Sequence, residues 1–389
     1  MPVAAFDGRA ISVDLLRNGE PLTVRLLDGV LRGVTLEQRA ARLQIAGTAS
    51  GVIEFALDLA DDLPLSVPRA ALASEAIAAA RAEDLQARRL GLPELLAEQT
   101  VSGAFARLTG HFADVMLYWG AEIAGGSEAL EPVHQMRVAM RRLRSAISLF
   151  PAADDAVALQ DLTRDLKTLT AVLGPARDWD VFCSQTGQAV GDAFTPEAPV
   201  ARLLARAKRR RDEHYHTLRT YLNGPGYRKL MIRLAGFALS ESWEMAAGAE
   251  AETIRCQPLA EFAATVLDRR LKRLLAAGDQ IEHLEAEELH KIRLQAKRMR
   301  YAAELFGSLW QGKASRRFIR RLASLQECLG VLNDGAVATR LMTEIAGNGA
   351  DRALAVGIVR GFMAGRSVVQ REEIAHSWSR FRRSSPFWT

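Results

Sequence analysis

The residues best equipped for chemistry stand between Val133 and Phe150, in the run VHQMRVAMRRLRSAISLF. His134, Arg137, Arg141 and Arg144 are spaced three, four and three apart. At about 100° per residue, that spacing stacks them in one column along an α-helix. Met136, Met140, Leu143, Ile147 and Phe150 fall on the opposite side, and Arg142 lies on the flank. Guanidinium forks in a column suit bidentate capture of phosphate oxygens, and a histidine among them adds a further N–H donor.

The pattern returns once. From Leu289 to Phe306 the chain reads LHKIRLQAKRMRYAAELF, so His290, Arg293, Lys297, Arg298 and Arg300 answer His134, Arg137, Arg141, Arg142 and Arg144 in a single ungapped register. The same register carries Leu173-Gly174 onto Leu329-Gly330 and Asp178 onto Asp334. The chain therefore contains an internal duplication, with copies over about residues 101–240 and 257–389. Ile292, Met299, Ala303 and Phe306 form the apolar side of the second copy, and Tyr301, in place of Ser145, joins its cation face.

A charged column on an amphipathic helix is usually its solvated face. Solvated faces mix signs, because like charges three or four residues apart repel by roughly 0.2–0.5 kcal/mol per pair. No carboxylate lies between Val133 and Phe150, and only Glu304 near the end of the second copy. A repeated column of one sign is relieved by a bound anion, which makes anion binding the favoured expectation.

Composition points the same way. Residues 1–100 carry 10 Arg and no Lys against 14 Asp and Glu, so the +5 net charge of the chain arises entirely from the remainder. A polyanionic partner suits a basic segment of this kind, and a membrane surface suits it less. Cys183, Cys256 and Cys328 lack metal-ligand spacing and read as buried apolar residues of a reducing compartment. No signal segment or long apolar span is evident, so the expected location is cytoplasmic. No phosphate-cradling loop, dinucleotide turn, HExxH or CxxC pair occurs, and no cofactor or metal is expected.

The elements that must position these columns follow from periodicity. In residues 1–90, alternation at Ile11–Leu15, Leu22–Leu27, Ala41–Ile45 and Val52–Leu57 predicts short antiparallel strands. Turns are expected at Asn18-Gly19, Asp28-Gly29 and Gly47 to Gly51, and a loop and a helix over Pro64 to Ala82. This reads as a small α+β domain, joined by a linker at 91–100 to a helical domain at 101–389. Helices are expected at 101–123, 131–150, 154–173, 176–190, 200–222 and 226–240, then at 259–277, 285–309, 314–329, 333–346 and 351–383. Breaks fall at Pro151, Gly174-Pro175 and Asn223-Gly224-Pro225. The fold class is mainly α. Two copies should pack about a pseudo-twofold axis and bring both columns to one basic central channel.

The segments HQMRVAMRRLR from His134, LGPARD from Leu173 to Asp178, HKIR from His290 with KRMRY from Lys297, and the ending Trp378 through Pro386-Phe387-Trp388 resemble the CHAD family, the conserved histidine α-helical domain. The resemblance covers about residues 100–389 and rests on four motifs in order. It implies a pseudo-symmetric helical bundle with a basic pore, binding to inorganic polyphosphate, association with polyphosphate granules and no general catalytic activity. Residues 1–90 resemble the later part of a CYTH domain, a β-tunnel triphosphatase fold. There Val52-Ile-Glu54-Phe-Ala-Leu-Asp58-Leu is followed by Ser74-Glu75-Ala76. The ExExK motif that opens that family is absent from residues 1–15, which implies a truncated or divergent remnant without catalysis.

The expected polyphosphate contacts are Arg137, Arg141, Arg144, Arg293, Lys297 and Arg300, with His134 and His290 donating to phosphate oxygen or orienting a neighbour. Tyr301 could add one hydrogen bond. Arg142 and Arg298 either join the pore or pair with carboxylates such as Asp178 and Asp334. Arg164 and Arg320, equivalent in the repeat, are expected in a second row with Lys167. Lys208 opens the densest basic run, Lys208 to Arg211 with His214 and Arg219, which either extends the track or is a solvated or nucleic-acid patch. Arg177, answered by Asn333, reads as structural, and Asp178 and Asp334 as helix N-terminal caps. A nucleic-acid binder needs aromatics among its cations, and the columns hold only Tyr301. A phosphohydrolase needs carboxylates holding Mg²⁺ or Mn²⁺ beside them.

Overall fold

The computed structural model describes residues 4–33, 37–81, 91–150, 157–193, 198–239, 249–345, 349–368 and 370–388. The break expected at Pro151 lies outside them.

The chain begins with a three-stranded antiparallel meander, β1 (Ala5–Arg17), β2 (Glu20–Arg32) and β3 (Glu37–Ala46), in the order β1-β2-β3. Asn18 and Gly19 both have positive φ, 51° and 84°, so they close the β1–β2 hairpin with the left-handed pair such a tight turn needs. Asp28-Gly29 is not a turn. Gly29 pairs with Gly8 in the middle of the ladder, where a Cβ would run into the Asp7 carbonyl. Glycine is here for close backbone approach.

Val52–Leu57 is also not a strand; it lies inside α1 (Ala49–Asp62). Thr48 sets the helix start by accepting a hydrogen bond from the Gly51 N–H at 3.3 Å. From there Val52, Phe55, Ala56, Leu59 and Ala60 recur with helical period. Helix α2 (Leu72–Arg81) packs on β2, and Arg42 of β3 pairs with Glu75.

Helices α3 (Val101–Ala124), α4 (Leu130–Leu149) and α5 (Val157–Val181) open the first copy, followed by a π-helical turn at Phe182–Gly187. Then come α6 (Gln188–Ala193), α7 (Ala198–Leu222) and α8 (Pro225–Leu239), the last packed against both α1 and α3. After α9 (Ala249–Cys256), the second copy is α10 (Leu259–Ala277), α11 (Ala286–Leu305), α12 (Lys313–Ile345), α13 (Ala350–Val368) and α14 (Gln370–Arg382). The stacking α3 on α4 on α5 is repeated by α10 on α11 on α12, and α4 meets α11 between them.

The junction is reciprocal. The Val101 N–H donates to the Gln257 carbonyl and the Leu259 N–H to the Gln99 carbonyl, at 3.3 and 2.9 Å, just where α3 and α10 begin. Phe150 and Phe306, which occupy the same place in the two copies, touch with ring centroids 6.0 Å apart. Equivalent residues in contact lie close to the relation that exchanges the copies.

Two expected breaks are absent. Helix α5 runs through Gly174-Pro175, and α12 through Leu329-Gly330. Proline inside a helix costs roughly 3 kcal/mol through its missing N–H and ring clash. Leu173, Ala176 and Trp179 are fully buried around Pro175, and this packing outweighs the local preference. Ala171, whose carbonyl loses its helical partner, is exposed and open to water. The cysteines are free, and Cys256 is exposed rather than buried.

Candidate functional site: a cationic trough between α4 and α11

Val133, Met136, Met140 and Leu143 are buried, which fixes α4 with its other side turned toward α11. Ile292, Ala296, Met299 and Ala303 do the same for α11. Two cavities of about 380 and 510 Å³ lie between these helices. His134 and Arg141 line both. Arg137, Arg177, Asp178 and Arg293 complete the charged wall of the first; Arg142, Arg300, Tyr301 and Glu304 complete that of the second. The cavities adjoin at these shared residues and together make up a trough lined by cations from both copies.

Lys297 records how closely the columns face. Its ammonium is pushed down to about 8, first by burial and then by Arg141, Arg293, Arg137 and Arg144. Three of those four arginines belong to the other copy. Lys297 also stands 5.9 Å from the centre of the Tyr301 ring. Burial likewise lowers His134, with Arg177 next and Arg141 and Arg137 adding to it, so its imidazole is favoured in the neutral form. The Nε atoms of Arg141 and Arg293 are buried without a hydrogen-bond partner among the described residues. An unmet buried donor costs about 1–3 kcal/mol, which an anion's oxygen would recover.

Two carboxylates stand on the walls, each held by two cations. Asp178 Oδ1 is 3.5 Å from Arg137 Nη2, and its Oδ2 accepts from Arg340 Nη2 at 3.0 Å. Glu304 Oε1 accepts from Arg300 Nε at 2.7 Å, and its Oε2 is 3.7 Å from Arg142 Nη2. Because α5 does not break, Asp178 is no helix cap; it projects from the last turns of α5 into the trough. The side chains of Asn333 and Asp334 lie outside the described residues. Gly174 leaves room for the arginine beside it, since a Cβ there would sit 3.3 Å from Arg137 Nη1.

Several expected contacts lie elsewhere. His290 is exposed and outside both cavity walls. Arg144 is exposed and reaches Thr170 Oγ1 at 3.4 Å, although its charge acts on Lys297. Arg298 is exposed on the flank of α11, where its charge acts on Arg270 of α10. Arg164 and Lys167 are exposed on α5, with Arg164 paired to Asp161 at 2.5 Å, and Arg320 is exposed on α12.

Lys208 lines a separate pocket of about 770 Å³, beside Asp180 and Arg211. The run it opens is partly internal. Arg211 Nε donates to the fully buried Asp180 at 2.7 Å, and Arg219 donates to the Ile123 and Ser127 carbonyls at the end of α3.

Arg177 was legible only as a structural residue, and the trough wall includes it. Gln185 and Thr186 reach that wall through the π-helical turn, whose extra residue per turn no local spacing foretells. Gln326 joins from α12.

The family model for the CHAD domain matches residues 106–343. Two uncharacterized proteins from strains of Mycobacterium tuberculosis are 28% identical to this chain over 213 residues, which is 52% of this chain and 39% of theirs. The match thus spans well under half of those relatives. The crystal structure of the CHAD domain from the plant Ricinus communis superposes with a TM-score of 0.65 at 27% identity, covering 77% of this chain and 98% of that one. PptA from Streptomyces chartreusis superposes with a TM-score of 0.53 at 15% identity, over 72% of this chain and 99% of that one, a likeness of fold alone. No helix among the described residues is long and apolar enough to cross a membrane.

Proposed function

The chain belongs to the CHAD domain family, and on that premise we propose that it binds inorganic polyphosphate in the trough between α4 and α11, without cleaving it. One observation carries the proposal. Arg141 and Arg293, one from each copy, bring guanidinium groups with buried and unpartnered Nε atoms to a wall common to both. A linear chain of phosphates offers oxygens at every step to such donors, and the arginine fork matches them. Inorganic polyphosphate is also the ligand implied by the resemblance of the His134 and His290 motifs.

A binding role is favoured over hydrolysis by the state of the acidic groups. Asp178 and Glu304 are each engaged by two cations, so neither is free to hold a divalent metal against the phosphate. Nucleic acid is disfavoured because Tyr301 and the buried Phe182 are the aromatic residues on the walls, too few to stack bases. A cytoplasmic location on polyphosphate granules follows from this ligand, and residues 1–90 are proposed to be a CYTH-like remnant without catalysis, whose α1 packs on α8.

The test is competition between long-chain polyphosphate and DNA of matched total charge, across a salt series. Polyphosphate should bind more tightly, with affinity falling steeply as salt rises, because phosphate neutralisation releases counterions. Equal affinity for the two polyanions would sink the reading.

A further inference from the structure

Two more arginines outside the trough share the buried, unpartnered Nε of Arg141 and Arg293: Arg42, whose Nη2 is paired with Glu75, and one with no acid beside it. Arg270, on α10, also carries a buried Nε without a hydrogen-bond partner among the described residues. Around it stand Arg269 and Arg273 on the same helix and Arg298 on α11. Spacings of three and four residues bring Arg269, Arg270 and Arg273 within an arc of about 100°. Arg298 lies about 100° around α11 from Lys297, so the cluster occupies a different face of that helix from the trough. None of the four lines either trough cavity.

The cluster is uncompensated. Some exposed arginines of this protein have an acid nearby, Arg164 with Asp161, Arg210 with Glu213 and Arg340 with Glu344. Others, such as Arg209, Arg316 and Arg317, stand in solvent without one among the described residues; the cluster differs from these in its half-buried member, Arg270. No ion pair joins Arg269, Arg270, Arg273 or Arg298 to a carboxylate among the described residues. Asp268, the neighbouring acid on α10, is engaged by the Trp388 indole at 2.8 Å. The guanidinium of Arg270 is pushed down to about 10, by burial first and then by Arg298, Arg269 and Arg273, all of its own sign. Like charges so placed repel, and a buried guanidinium N–H left unmet costs about 1–3 kcal/mol. Both penalties are removed by an anion with several oxygens.

We infer that Arg269, Arg270, Arg273 and Arg298 form a second phosphate-binding surface, across α10 and α11, that holds a separate stretch of polyphosphate. The ligand class rests on the reading of the trough; the site itself rests on the cluster. Two surfaces on different faces of α11 allow one protein molecule to hold two polyphosphate strands and so to cross-link them.

Calorimetric titration of the full chain with a short polyphosphate of defined length decides the matter through stoichiometry. The unaltered protein should bind two chains. Replacing Arg269 and Arg273 by alanine, both exposed and remote from the core, should remove one binding event and leave the other at its original affinity. Replacing Arg141 and Arg293 by alanine should remove the complementary event. A stoichiometry of one in the unaltered protein, or two events surviving in the Arg269/Arg273 variant, overturns the second surface and leaves the trough standing. Full binding by the Arg141/Arg293 variant overturns the trough reading and not the cluster. An oligonucleotide of equal charge that displaces polyphosphate from the cluster at equal concentration overturns the ligand assignment.

Discussion

Arg142 of the first copy reaches Glu304 of the second, with 3.7 Å between Nη2 and Oε2. Glu304 also accepts from Arg300 at 2.7 Å, so one carboxylate holds down two trough cations and ties the copies together. Glu304→Gln should therefore act in opposite directions on two measurements. Polyphosphate affinity rises about fivefold, on the order of 1 kcal/mol, the scale of one nearby like charge at a protein surface. Thermal stability falls by about 1 kcal/mol through the weakened hydrogen bond to a charged group. Titration calorimetry and thermal unfolding check the pair, and a variant losing both affinity and stability would contradict this role.

Lys297 should make binding depend on pH. Lys297 is on neither cavity wall, but it stands among the trough arginines, and in the free protein its ammonium gives up its proton near 8. Phosphate oxygens favour the charged form, so binding takes up a proton once the pH exceeds that value, and affinity falls as pH rises above about 8. Titrations in two buffers of different ionisation enthalpy measure the uptake; a flat profile from neutral pH to 9 would refute it.

The same lysine sets a stability prediction. The native state releases the Lys297 proton near 8, while the unfolded chain keeps it to about the ordinary 10.5. Between those values the unfolded state binds more protons, so this group's contribution to stability rises with pH. Lys297→Met should raise the melting temperature at pH 7, and the gain should shrink as the pH climbs from about 8 to 10.5. Affinity for polyphosphate should fall at pH 7 in the same variant.

Arg141 and Arg164 separate the trough from the surface. Arg141→Ala should weaken polyphosphate binding about tenfold and make the salt dependence shallower by about one phosphate contact. Arg164→Ala removes an exposed pair with Asp161 and should change affinity by less than about twofold. Equal losses in the two variants would place the ligand outside the trough.

Asp180 is buried completely and accepts from Arg211 Nε at 2.7 Å and Tyr215 Oη at 2.8 Å. Asp180→Ala leaves Arg211 only its longer contact with the exposed Asp212, at 3.4 Å, and strands the Tyr215 phenol, and should cost about 3 kcal/mol in chemical denaturation.

The columns were legible because burial on one side and a single charge sign on the other leave a period that survives in one dimension. Met136 and Ile292 fall inside, and Arg141 and Arg293 line one cavity, as that period requires. The extents of α3 and α10 were legible for the same reason. What escaped was decided by packing at a distance. Val52–Leu57 alternates like a strand, yet Thr48 and the contact of Ile53 with Gly236 on α8 make it helical. Gly174-Pro175 looks like a break, yet burial of Trp179 carries α5 through it. That continuity turned Asp178 from a cap into a trough residue and brought Arg177 with it. The arginine run at Lys208 gave no hint that Arg211 turns inward, because Asp180 is far away in sequence.

His134 and Arg141 belong to both cavity walls, so a guest that fills both cavities must pass along these two side chains. A linear guest in such a groove is gripped along its flank and not by its tips. Polymers with blocked and free termini should then be equivalent guests at equal length. A bound strand can also creep lengthwise, trading one phosphate for the next without letting go.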